Sequence, residues 1–264
     1  MCKSKQIKMA SANANQDDLV SDIIKKVAAF DIRKLGPYPE TKEGFKRAAV
    51  LLPITVCNGE VLILLTKRSK YLRSHPSATA FPGGNRDETD TSDITTALRE
   101  AEEEIGLPPD TVQVLGILTR GITWPNTVVY PVVGLIPSDF VPTVNPSEVE
   151  FAFYMPLKDF ISEDKVSVYA YDIQGQSFLF RSIIYSNGDV TEKVWGFTAS
   201  YCILLAKIIF GDLGHFQILA NSRENQNRGL YDGLEKYFEY ISSLALTTSN
   251  LKMTLSLFCN LGTS

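Results

Sequence analysis

Apolar residues at Leu19, Ile23, Ile24, Val27 and Phe30 recur at helical spacing and predict a helix over 18–34, ended by Pro37 and Pro39. The polar stretch before it, 1–17, reads as a disordered tail. Two β-rich runs follow, RAAVLLPITV over 47–56 and VLILLT over 61–66. Cys57-Asn58-Gly59-Glu60 joins them, and Asn-Gly is a strong hairpin signal. A polar loop then leads to Phe81-Pro82-Gly83-Gly84. From 92 to 105 the pattern turns helical. Asp90, Thr91 and Ser92 offer N-caps, Asp93 complements the N-terminal dipole, and Gly106 supplies the stop, with Pro108 and Pro109 beyond. Strands are expected again over 111–118, 128–136, 150–156, 177–185 and 190–195, and a closing helix over 197–210. The remainder, 211–264, shows an amphipathic stretch around 231–246 and no other assignable pattern. Strands, one central helix, more strands and a last helix make a mixed α/β domain.

Composition narrows the class without naming it. The chain has 264 residues, 44% of them hydrophobic and 21% charged, which excludes a collagen-like or low-complexity chain. Lys plus Arg total 26 against 30 acids, a net charge of −4 that argues against a nucleic-acid partner. The longest apolar run, ASYCILLAKIIF over 199–210, is too short to span a bilayer and contains Lys207, so no membrane span is expected. Cys2, Cys57, Cys202 and Cys259 form no C-x-x-C pair; neither a zinc knuckle nor a disulfide framework is expected, and a reducing intracellular setting is. Lys3, Lys5 and Lys8 precede no apolar h-region, so no secretory signal is read there, and a mitochondrial transit peptide would usually contain Arg. Leu261-Gly262-Thr263-Ser264 is not a Ser-Lys-Leu peroxisomal tripeptide.

The central helix carries the candidate chemistry. In Arg99-Glu100-Ala101-Glu102-Glu103-Glu104-Ile105-Gly106-Leu107, at about 100° per residue, Glu100 and Glu104 lie only ~40° apart, with Glu103 ~60° to the other side of Glu100. Ala97, Leu98, Ala101 and Ile105 form the face that docks the helix. Like charges at i, i+4 repel, so this flank is destabilising unless something neutralises it, which a divalent cation does. A solvated acidic face is the alternative.

The segment resembles the box of the Nudix hydrolases, G-x5-E-x7-R-E-U-x-E-E-x-G-U with U aliphatic. Arg99, Glu100, Ala101, Glu103, Glu104, Gly106 and Leu107 match its second half. In the first half, Gly84 lies fifteen residues before Arg99, one more than the pattern has, and Thr91 stands where its earlier Glu would be; Asp90 and Asp93 are the neighbouring acids. The resemblance implies a mixed β-sheet sandwiched between helices, with a loop-helix-loop motif holding Mg²⁺ or Mn²⁺ against a diphosphate. It implies Glu100, Glu104 and Glu103 as metal ligands, Glu103 or Glu104 as a base, and Arg99 as the partner that orients a ligating carboxylate.

Upstream, Leu64-Leu65-Thr66-Lys67-Arg68-Ser69, then Arg73, then Phe81-Pro82-Gly83-Gly84 resembles the extra motif of the coenzyme A diphosphatases, L-L-T-x-R-S-x3-R-x3-G-x3-F-P-G-G. One position departs: Ser77 replaces Gly. Lys67, Arg68, Lys70 and Arg73 place four cations within seven residues of an acidic chain, which suits a small polyanion. The resemblance implies Lys67, Arg68, Ser69, Arg73, Phe81, Gly83 and Gly84 as substrate-binding residues. It extends through Asn145-Pro146-Ser147-Glu148-Val149-Glu150, Met155-Pro156-Leu157 and Trp195-Gly196-Phe197-Thr198-Ala199, and so covers 45–210 as one domain, with 18–44 as N-terminal helix and linker and 211–264 as an extension without assigned role. Glu148 is a candidate general base or a plain surface acid; His75 a phosphate contact or a surface histidine; Trp124 and Tyr130 adenine contacts or core residues. The implied reaction cleaves coenzyme A and acyl-CoA to adenosine 3′,5′-bisphosphate and 4′-phosphopantetheine, in a peroxisomal or mitochondrial setting. Hydrolysis of an ADP-sugar or dinucleotide, and a weakly catalytic nucleotide sensor, are the alternatives.

Overall fold

The computed structural model describes residues 2–34, 44–123, 126–173, 176–188 and 190–211. Trp124 and the extension 212–264 lie outside the described residues.

A helix α1, Cys2–Ala29, opens the chain and is followed by a short 3-10 turn, Ile32–Lys34. Helix therefore begins at Cys2, where a disordered tail was expected, and ends at Ala29, five residues before the expected 34. The early start has a local reason. Lys, Gln, Met and Ala are good helix formers, and no Gly or Pro interrupts the chain before Gly36.

Strands β1 (Lys46–Cys57) and β2 (Glu60–Arg68) form the expected hairpin. Its turn residues Asn58 and Gly59 both take positive φ, 52° and 78°, as a two-residue primed turn requires. Two short strands, β3 (Thr79–Ala80) and β4 (Gly83–Asn85), frame Phe81-Pro82. After α2 (Asp93–Ile105) come β5 (Gln113–Ile117), β6 (Gly121–Thr123), β7 (Thr127–Leu135) and β8 (Val149–Pro156). These strands make one mixed sheet whose main path runs β3-β2-β1-β7-β5. β1 and β7 are parallel; the other pairs are antiparallel, with β4 on β1, β6 on β7 and β8 on β2. A second sheet holds β9 (Val166–Ile173), β10 (Gln176–Ser186) and β11 (Thr191–Trp195), and α3 (Gly196–Phe210) closes the domain.

Side-chain alternation divides the core. On β1, Ala49 and Leu51 face one side with Ala97, Ala101 and Ile105 of α2, over Tyr130 and Val132 of β7. Leu52, Ile54 and Val56 face the other, with Ile23 and Val27 of α1 and the apolar length of α3. A strand buried on both faces needs apolar residues at nearly every position, which accounts for the unbroken run AAVLLPITV. The sheet is thus sandwiched between α2 and the α1–α3 pair, an α/β fold. Strands β3, β4, β6 and β9 were not anticipated. The first three span two or three residues, too few for a period to show.

Candidate active site

Helix α2 starts at Ser92, whose Oγ accepts a hydrogen bond from the Thr95 amide, and stops at Gly106 in the left-handed region at φ 68°. Its apolar face seats it on the sheet, and this turns Glu100 and Glu104 toward the glycine strand β4. Glu104 is buried, at 2% exposure, and its Oε2 accepts a hydrogen bond from the Gly83 amide at 3.2 Å. Arg68, at the end of β2, brings Nη1 to 3.5 Å from Glu104 Oε1. Burial pushes the Glu104 carboxyl up to about 8, against the opposing pull of Arg68 and the Gly83 amide. Half-buried Glu100 is also raised, chiefly by burial, although Arg99 beside it acts the other way.

A third carboxylate joins them. Glu100, Glu104 and Glu148 offer oxygens that all lie within 4.8 Å of one another. The turn that carries Glu148 is held from two sides. Thr143 and Asn145 amides donate to the Ile105 and Glu104 carbonyls at the end of α2, and the Ser69 amide donates to the Glu148 carbonyl. Three carboxylates so close repel unless protonated or neutralised, and this repulsion adds to the burial that chiefly raises Glu104 and Glu100. An all-oxygen, partly buried donor set with sites left over suits a hard divalent cation such as Mg²⁺ or Mn²⁺.

The glycines have specific work here. A Cβ on Gly84 would come within 2.5 Å of the Glu100 carboxylate. One on Gly83, at φ 151°, would strike the Ala49 carbonyl at 2.5 Å. At Gly83 the clash is with β1 backbone at positive φ, so only glycine fits there, whereas at Gly84 a side chain would displace the Glu100 carboxylate from its place.

Residues 45–173 match the model of the NUDIX domain. A Photorhabdus laumondii protein described as an uncharacterized Nudix hydrolase, NudL, is 38% identical over 189 residues, covering 71% of this chain and 96% of that protein. The chain belongs to the Nudix hydrolase family. It is accordingly a hydrolase of phosphoric anhydrides, a family that generally uses divalent metals. Arabidopsis thaliana Nudix hydrolase 15, mitochondrial, is 36% identical over 168 residues, 62% of this chain and 59% of that protein. A MutT/nudix family protein of known structure from Enterococcus faecalis aligns over 69% of this chain and 68% of its own at 13% identity, with a TM-score of 0.44. No helix among the described residues is long and apolar enough to cross a membrane.

At the departure in the first half of the Nudix box, Asp90 pairs with Arg99. Its carboxylate is buried and takes a bidentate pair from Arg99, Nε to Oδ1 and Nη2 to Oδ2, both at 3.0 Å. The Asp87 amide adds a third hydrogen bond, and Arg99 holds the Asp90 carboxyl down at about 2. Thr91, the position in register, only shares a hydroxyl contact with Thr95. Asp93 serves elsewhere: Arg47 grips both its oxygens at 2.7 Å while stacking 4.4 Å over the Tyr130 ring. Thus anchored, Arg99 Nη2 donates to Glu100 Oε1 at 3.0 Å and to the Asn85 carbonyl, tying helix, glycine strand and loop together.

Other expected site residues fall in different places. Glu103 lies outside the Glu100–Glu104–Glu148 group; it is half exposed and pairs with Arg99 Nη1 at 3.1 Å. Lys67 points away from the carboxylates, because alternation along β2 sends it and Arg68 to opposite faces; its Nζ sits 2.6 Å from Glu192 Oε2 on β11. Phe81 is buried in the core beneath the α1–α3 face rather than at the site. Ser69 is buried and acts as a tie, through its amide to Glu148 and its Oγ to the Tyr71 amide. Arg73 and His75 are exposed in the basic loop, and Tyr130 is a core residue. Glu148 was legible only as a choice between base and surface acid, since its approach to Glu104 depends on pairing 44 residues apart in sequence.

Proposed function

We propose that this Nudix hydrolase cleaves the diphosphate of coenzyme A and acyl-CoA, releasing adenosine 3′,5′-bisphosphate and 4′-phosphopantetheine or its acyl form. The observation that carries this reading is the placement of Arg68 against the carboxylate cluster, 3.5 Å from Glu104, at the root of a loop that also presents Lys70 and exposed Arg73. A diphosphate and a separate 3′-phosphate need cations in two places, and this loop supplies both. The near-complete match to the coenzyme A diphosphatase motif supports the same substrate.

Glu100, Glu104 and Glu148 would hold Mg²⁺ or Mn²⁺. When bound, the cation neutralises phosphate oxygens and lowers the pKa of a water. Arg99, fixed by Asp90, keeps the Glu100 carboxylate turned to the cluster. Arg68 faces the diphosphate, and its buried Nε has no hydrogen-bond partner among the described residues, a donor that a phosphate oxygen satisfies. Water adds to one phosphorus, the bridging P–O bond breaks, and the bridging oxygen leaves on the other phosphate. Asp90, one residue before Thr91, supplies a buried acid that pairs with Arg99, which favours the enzyme over a catalytically weak sensor.

Purified protein incubated with coenzyme A and Mg²⁺ is expected to give the two named products, with Glu104→Gln lowering turnover at least about 100-fold. Faster release of AMP from ADP-ribose or a dinucleotide, with coenzyme A left intact, would assign the other substrate class.

A further inference from the structure

The most exposed large apolar side chain among the described residues is Tyr71, at 81%. It stands in the basic loop, and the backbone around it is built. The Leu72 amide closes a turn onto the Ser69 carbonyl at 3.2 Å, the Tyr71 amide donates to Ser69 Oγ at 3.4 Å, and the Ser69 amide is tied to the Glu148 carbonyl at 2.8 Å. Tyr71 therefore sits at the tip of a turn whose base is joined to the carboxylate cluster. Lys70 places Nζ 5.2 Å from the centre of its ring.

We propose that Tyr71 is a stacking platform for the purine base of a nucleoside diphosphate held at the carboxylate cluster. Held on a short turn tied to the carboxylate cluster, the exposed ring offers a flat apolar face to a ligand bound there. A purine has that face, and base–aromatic stacking is tolerant in geometry but substantial in affinity. The reach is right: Tyr71 follows Arg68 by three residues, so its Cα lies within about 11 Å of Arg68, a span that a ribose and a base bridge. Lys70 and Arg73 flank the ring in sequence and supply cations for a phosphate on the same ribose. This inference rests on the reading of the cluster as a diphosphate site but not on coenzyme A as the particular substrate, since every adenine nucleotide presents the same ring.

The test is equilibrium binding of AMP and of ribose 5-phosphate, each with Mg²⁺, to the full-length wild type, Tyr71→Ala and Tyr71→Phe. Tyr71→Ala is expected to weaken AMP about 10-fold and leave ribose 5-phosphate within twofold, while Tyr71→Phe binds both like wild type. Because the side chain is on the surface, circular dichroism should be unchanged in both variants. Equal AMP affinity in wild type and Tyr71→Ala, an equal loss for both ligands, or a loss in Tyr71→Phe as large as in Tyr71→Ala would each overturn the proposal. So would a wild type that binds AMP no better than ribose 5-phosphate. Failure of the coenzyme A reading shows separately, as wild-type protein that leaves coenzyme A intact while still discriminating the two binding probes.

Discussion

A single carboxylate, Asp90, decides how the helix charges are arranged. Its buried side chain receives two hydrogen bonds from Arg99 and one from the Asp87 amide, so the ionised form is favoured in the folded state. Its pKa is about 2 folded against 3.8 unfolded. A depressed carboxyl contributes stability above its unfolded pKa and loses it as pH falls through the folded one, here between about pH 4 and pH 2. Urea unfolding should therefore show a loss of about 2 kcal/mol over that window that is absent in Asp90→Asn, which is already destabilised at pH 7. An unchanged acid limb in the variant would move the effect to another group. Register counting put Thr91 at the acid position and left Asp90 and Asp93 as the neighbouring acids; the loop before the Ser92 cap folds Asp90, and not Asp93, back onto Arg99. Ser77 was legible in the opposite sense. A serine where the resembling motif has glycine raised the question of positive φ, and its φ is 57°, a left-handed position that costs a non-glycine residue about 1 kcal/mol.

Among the elements, α2, the β1–β2 hairpin and α3 were readable because caps, an Asn-Gly turn and long apolar runs mark them locally. What joins those elements was not readable. Lys67 and Glu192 are 125 residues apart, and only the fold puts their charges at 2.6 Å. Thr79 Oγ1 donates to the same Glu192 oxygen, and Thr198 Oγ1 donates to the Thr79 carbonyl, so β11 and the start of α3 clamp β3 just before Phe81-Pro82-Gly83. Lys67 thus belongs to the scaffold under the glycine strand. Removing one charge of such a pair strands the other in a poorly solvated place, whereas replacing both with apolar groups does not. Glu192→Gln should cost about 3 kcal/mol, and Lys67→Met with Glu192→Leu should recover most of it, both read by denaturant unfolding. A double variant no more stable than the single one would show that the hydrogen bond to Thr79, not the charge pairing, carries the effect.

At the scale of the molecule, the cluster lies where three segments of the chain meet: α2 brings Glu100 and Glu104, the turn pinned to its C-terminus brings Glu148, and β4 lays a bare backbone against them. In the unfolded chain these oxygens are dispersed, so a cation binds the native state almost exclusively and raises its stability by mass action. At a hundred times its dissociation constant, Mg²⁺ should add about 2.7 kcal/mol. For a domain of this size that is a rise in Tm of roughly 5–10 °C. Because Glu148 belongs to the group and Glu103 does not, the two give opposite expectations. Glu148→Gln should abolish most of the Mg²⁺-dependent shift, and Glu103→Gln should leave it within about a degree of wild type. Asp22→Asn on α1, paired with Lys26 across one helical turn, is the control that alters surface charge away from the cluster. Thermal melts of the four proteins across a Mg²⁺ titration separate the cases. A shift that survives Glu148→Gln but disappears in Glu103→Gln would place the cation on the exposed flank of α2 and overturn the assignment of the buried group.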